Sequence, residues 1–167
     1  MKRLILLCFS LLLVVSCGYH LGGLKRTSMR DMDTFCVDMF ANNTVFPNVS
    51  MQLTTALTDN MQRDGTYRLA SPASSDFTIS GAVTSVNASS LRTNSSDTYL
   101  SSEIGLTVNV AYRVVNNRTG QTLYTSTVRA EGSYFNDNSN AQTARDTALS
   151  YATRRAAELI VQALTTP

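Results

Sequence analysis

The chain has 167 residues, 43% of them hydrophobic and 16% charged, with a formal charge of +2 at pH 7. So small a charge argues against a basic nucleic-acid-binding surface, and one histidine with three cysteines leaves little material for catalysis or metal binding. The length suits a single domain with a real core.

The chain opens on Met1-Lys2-Arg3, an apolar run from Leu4 to Val15, and Ser16. A basic start, a dozen apolar residues and a small residue make an export signal. The run is too short for a spanning helix, which needs roughly 20 apolar residues. Val14-Val15-Ser16-Cys17 resembles the bacterial lipobox, in which the thiol is acylated and the signal is cut just before it. Residues 1–16 are therefore expected to leave, and Cys17 to carry lipid. A single acyl chain holds only marginally at about 0.8 kcal/mol per methylene, so stable anchoring needs a multiply acylated cysteine. Gly18 stands where an aspartate resembling an inner-membrane retention signal is absent, which favours the outer membrane.

Processing changes two balances. Lys2 and Arg3 depart, so 14 basic residues become 12, equal to the 12 acidic ones. Cys8 departs and Cys17 is lipidated, so Cys36 has no intrachain disulfide partner. In Phe35-Cys36-Val37 it reads as a buried small apolar residue.

Residues 17–33 read as a lipidated tether and 34–167 as one domain. Thr34 to Phe40 reads as a strand with Phe35, Val37 and Met39 on one face. Asn42-Asn43-Thr44 and Pro47-Asn48 form a loop. A helix follows from Val49 to Arg63, with Val49, Leu53, Ala56, Leu57 and Met61 at helical spacing, Asn48 or Ser50 as cap and Asp64-Gly65 as stop. Tyr67-Arg68-Leu69 is a short extended piece. Asp76 to Val86 is a strand with Phe77, Ile79 and Val83 on one face, and Gly81 marks a bulge or a close approach. The polar stretch Asn87 to Asp97 reads as a turn region.

Strict alternation comes next. Leu100, Ile104, Leu106, Val108, Val110, Tyr112 and Val114 face one way, while Ser101, Glu103, Thr107, Asn109 and Arg113 face the other, over about 17 residues. Asn116 to Gly120 makes a hairpin turn, and the returning strand runs from Gln121 to Tyr134. A last helix covers Asn140 to Leu164, its apolar face rich in alanine (Ala144, Ala148, Ala152, Ala156), which lets helix and sheet approach closely. The order β-α-β-β-β-α predicts an α+β domain: a mainly antiparallel sheet of about four strands with two helices on one face.

Catalytic constellations do not assemble. The single histidine, His20, lies three residues from Cys17, so no Ser-His-Asp triad forms in the domain. No Cys/His cluster has zinc spacing, and Gly18, Gly22 and Gly23 open no phosphate-binding loop. The expectation is a binding or structural protein, with no enzymatic activity, cofactor or metal.

Cys17-Gly18-Tyr19-His20-Leu21 resembles the start of mature chains in the lipopolysaccharide-assembly lipoprotein family, LptE. Leu106-Thr107-Val108-Asn109-Val110, Ser133-Tyr134-Phe135-Asn136-Asp137 and Arg155-Ala156-Ala157-Glu158-Leu159-Ile160 are similar to that family's hairpin and closing helix. The resemblance implies an outer-membrane lipoprotein that plugs the lumen of a large β-barrel, LptD, helps it assemble and assists delivery of lipopolysaccharide to the surface. It also implies a four-stranded sheet with two helices. An anionic, amphipathic lipid calls for arginine or lysine near apolar groups. Arg92 resembles in position a basic residue that the family places at the tip of the sheet; Arg68 and Arg118 are the secondary choices. A rival likeness lies at Thr34 to Thr44, which is similar to the start of TolB-amino-terminal and CsgG-like domains. That likeness implies a cell-wall synthase activator or a secretion component.

Overall fold

A computed structural model describes residues 23–92, 102–136 and 140–166. The signal, Cys17 and the side chain of Arg92 lie outside the described residues. After a 3-10 turn at Thr27–Met29, the elements are β1 (Thr34–Val37), β2 (Ala41–Asn42), α1 (Val49–Asp64), β3 (Arg68–Leu69), β4 (Phe77–Arg92), β5 (Ser102–Asn116), β6 (Thr122–Asn136) and α2 (Ala141–Thr165). The sheet runs β3-β1-β4-β5-β6, with β2 also on β4. β1 is parallel to β3 and β4, and β2 is parallel to β4, whereas β4, β5 and β6 form an antiparallel ribbon.

The class is the expected α+β one, but the sheet has six strands, and the additions are short. Thr34 to Phe40 is not one strand. Asp38 still donates its N–H to Ile79 on β4, but the Phe40 N–H turns to the Thr54 hydroxyl on α1 at 3.1 Å. The chain therefore leaves the ladder, and pairing resumes at Ala41 opposite Ala82. The break also changes which residue faces the core: Phe40 is buried and Met39 is 65% exposed. β4 passes its expected end at Val86 because Asn87 and Ser89 keep pairing with Thr107 and Gly105.

α1 buries Val49, Leu53, Leu57 and Met61, a four-residue repeat along one stripe. Asn48 precedes it at φ 64°, a left-handed conformation that asparagine tolerates, and makes no side-chain cap bond. Gly65, at φ 74°, closes the helix with its N–H on Met61 O. α2 buries Ala148, Ala152, Ala156, Ala157, Ile160 and Leu164, so its small side chains bring its backbone onto the sheet. A Cβ on Gly132 of β6 would stand 2.7 Å from the Ala148 carbonyl oxygen. Gly81 is likewise a close-approach site, with the Phe40 ring 2.7 Å from where its Cβ would lie.

The segment leading in from Cys17 lies against the domain along its described part. Met29 is fully buried, Leu24 donates its N–H to Thr165 O, and Arg26 Nη1 donates to Ala163 O at 2.6 Å. The Arg26 guanidinium also sits 4.3 Å from the centroid of Tyr124 on β6. Two carbonyls of the last turn of α2 thus gain partners that the helix cannot supply.

Candidate functional site

Both helices join one core with the inner side of the long ribbon. Ile79, Val83, Leu106, Val108, Val110, Tyr112, Val114 and Ala130 all belong to it. Because side chains alternate along a strand, the residues between them form the opposite face. Register brings Ser80, Arg113 and Thr125 into one row, Ala82, Ala111 and Thr127 into the next, and Asn87, Thr107 and Glu131 into another. Ser85, Asn109 and Arg129 fill the row between, beside the register shift at Val83/Ser85. No helix covers this face among the described residues.

The outer face is small, polar and tied across its strands. Asn109 Nδ2 donates to Ser85 Oγ at 3.0 Å, and Arg113 Nε donates to Ser80 Oγ at 3.2 Å. Ser133 Oγ donates to Glu103 Oε1 at 2.9 Å, and Arg129 pairs with Glu131 at 2.9 Å. Each interaction bridges strands or neighbours, so the surface is pre-set in shape while keeping polar groups available. Leu91 lies over Gly105 at one extreme of this face. The polar half of β5 was legible from alternation. Thr125, Thr127, Arg129 and Glu131 of β6 extend it, and the same period of two marks them in the sequence.

The three arginines singled out from sequence do not converge. Arg92 ends β4, its backbone opposite Glu103. Arg68 begins β3, exposed, with its N–H on Asp33 O at 2.8 Å. Arg118 is in the β5–β6 turn, its side chain 87% exposed and 4.0 Å from Asp76. It borders a cavity of about 430 Å³ together with Asp31, Ser74, Asp76 and Asn116. Arg68 and Arg118 share the end where β1, β3 and β4 begin. Arg92 is at the other end of the 16-residue β4, roughly 50 Å away at 3.3 Å per residue.

Asp76 holds the first end together. Its Oδ2 accepts from the N–H groups of Asp33 and Thr34 and from the Thr34 hydroxyl. These bonds, with Arg118 adding the smallest pull, hold its carboxyl below the usual carboxylate value. Cys36 is buried and free, and burial pushes its thiol up, as expected of a packing residue. Among the described residues no group of three His, Cys, Asp or Glu could hold a metal, and no helix is long and apolar enough to cross a membrane.

A packed leading segment, a two-helix layer and a long ribbon with one polar face define a two-layer α+β domain. Solved structures share this fold. A hypothetical protein from Chlamydia trachomatis aligns with TM-score 0.56 at 9% identity, covering 80% of this chain and 96% of that one. A Xanthomonas campestris protein aligns at 0.55 and 13% identity, covering 88% of both chains. The PelC dodecamer from Paraburkholderia phytofirmans gives 0.52 and 15%, covering 86% of this chain and 95% of that one. At these identities the likeness concerns the fold alone.

The chain belongs to the LptE family, described as lipopolysaccharide-assembly, which it matches over residues 32–164. The match includes Thr34 to Thr44, the stretch with the rival likeness. No curated protein matches the chain. At family level, then, the chain has a part in lipopolysaccharide assembly.

Proposed function

We propose that the chain is anchored in the outer membrane through acylated Cys17 and that its domain plugs an LptD-type β-barrel, assisting the barrel's assembly and lipopolysaccharide delivery. The observation that carries this reading is the uncovered outer face of β4, β5 and β6. Interiors of large barrels are polar, and a pre-ordered sheet of Ser, Thr and Asn with few charges suits such a wall. Arg92 is the proposed contact to the anionic lipid, with Arg68 and Arg118 as the alternatives at the opposite end. Cys17 precedes Gly23 by a stretch that reaches at most roughly 20 Å. Gly23 donates its N–H to the Thr66 hydroxyl just before β3, so the tether enters the domain at the end that carries Arg68 and Arg118.

The test is purification of the tagged lipoprotein in mild detergent, combined with its depletion. A stoichiometric complex with one large β-barrel, and loss of surface lipopolysaccharide on depletion, is expected. Co-purification with a cell-wall synthase at normal surface lipid would overturn the reading. Arg92→Glu should weaken binding of purified lipopolysaccharide, and an effect confined to Arg118→Glu would move the contact to the anchored end. Cys17→Ala should accumulate uncleaved precursor.

A further inference from the structure

Residues 23–33 are held on the domain at two points of unequal strength. The far end is fixed to the sheet. Asp76 Oδ2 accepts from the N–H groups of Asp33 and Thr34, and Arg68 donates its N–H to Asp33 O. The near end depends on Arg26. Its guanidinium donates to Ala163 O and lies over the Tyr124 ring. It also brings positive charge to the last turn of α2, where the helix dipole is negative. Around Arg26 the grip is thin. Leu24 donates to Thr165 O and Gly23 to the Thr66 hydroxyl, while Lys25 pairs with Asp33 inside the segment itself. Met29 is the one fully buried side chain of the stretch; Leu24 is 69% exposed, and Thr27, Ser28, Arg30 and Asp31 are exposed too.

Segments with few buried apolar contacts open before the rest of a fold does. We propose that residues 23–32 form a releasable strap with Arg26 as its clasp, hinged at Asp33 and Thr34, so that the domain has two reaches from its acyl anchor. With the strap seated, Gly23 stands within roughly 20 Å of Cys17. With the strap released, free chain runs from Cys17 to Asp33 and the reach grows to at most roughly 55 Å. The short reach holds the Arg68 and Arg118 end close to the bilayer. The long one lets the same folded domain travel about the length of β4 without losing its anchor. A lipoprotein that meets its partner barrel during assembly has a use for both. Arg26 is then a positioning residue: it sets where the anchored domain stands.

The two reaches rest on acylation of Cys17, which the intact mass of the purified lipoprotein reads separately. Hydrogen exchange on that full lipoprotein in mild detergent tests release itself. The Leu24 amide should exchange at least about tenfold faster than those of Arg68 and Val108, since it leaves with the strap while they stay with the sheet. Arg26→Glu sets a carboxylate against the negative end of α2 and should speed Leu24 exchange on the order of a further tenfold. Arg26→Lys keeps the charge and should stay near the unmodified rate. In vesicles, a fluorophore on Thr119→Cys, in the exposed β5–β6 turn, reports distance to an acceptor carried on the lipid headgroups. Energy transfer should fall with Arg26→Glu and recover with Arg26→Lys, a change in reach that lost stability alone does not produce. Equal exchange at Leu24 and Val108, or transfer unaffected by Arg26→Glu, would overturn the strap. An unacylated Cys17 would instead remove the anchor and the two reaches with it, and the exchange pattern would still decide whether the segment lifts.

Discussion

On the inner side of β5, Leu106, Val108, Val110, Tyr112 and Val114 are at most 2% exposed. On the outer side, Thr107, Asn109 and Ala111 are half-buried and Arg113 is exposed. One stretch of backbone thus carries two surfaces under different constraints. The inner one is fixed by volume, since the helices pack on it and α2 comes so close to the neighbouring β6 that a Cβ on Gly132 would meet the Ala148 carbonyl. The outer one is fixed only by hydrogen bonds between small side chains, which other polar residues can supply. Fold and recognition are therefore separable by substitution, one residue apart on the same strand.

The sharpest way to break the comparison is to cut into the inner side. Leu106→Ala removes a fully packed side chain and should cost about 2–5 kcal/mol, lowering the thermal midpoint by roughly 5–15 °C in circular-dichroism melting. Gly132→Val tests the helix–sheet distance. Its Cβ would meet the Ala148 carbonyl at 2.7 Å, so overpacking should cost about 1–3 kcal/mol. Urea titration reads the shift, and an unchanged midpoint would mean that α2 is not pressed on β6 as described.

A smaller effect separates the end held by Asp76 from both faces. Its pKa in the folded chain lies below the ordinary 3.8. Asp76 therefore contributes stability that is present above that value and is lost as pH falls through the lowered one. Asp76→Asn should destabilise the protein at neutral pH and flatten the acid limb of its stability–pH curve. Smallest on stability, Thr107→Ala should stay within about 0.5 kcal/mol, whereas Thr107→Arg should reduce barrel recovery in co-purification without moving the melting curve by more than a few degrees.

Legibility followed physical range. α1 was readable because Val49, Leu53, Leu57 and Met61 repeat locally, and β5 because its alternation runs unbroken beyond Leu106. The split between β1 and β2 was not, since it depends on Thr54 capturing the Phe40 N–H from another element. The extension of β4 through Asn87 and Ser89 was hidden for a similar reason. Small polar residues read as a turn, and only pairing with Thr107 and Gly105 holds them extended. Of the candidate site, the polar side of β5 could be read. The separation of Arg92 from Arg68 and Arg118 could not, because strand order is not written in local periodicity.

The bonds from Leu24 to Thr165 and from Arg26 to Ala163 place the first and last described stretches side by side. For the topology of the domain, this means that the two ends of its described stretch, residues 23 and 166, nearly close a ring. A short linker could join them, and the chain could be reopened in the β5–β6 turn at Gly120, whose φ of 70° marks a loop tip with nothing packed where its Cβ would lie. Such a circular permutant would keep the strand order and the helix packing. It would also move the start of the domain to the hairpin without altering a single residue of the polar face.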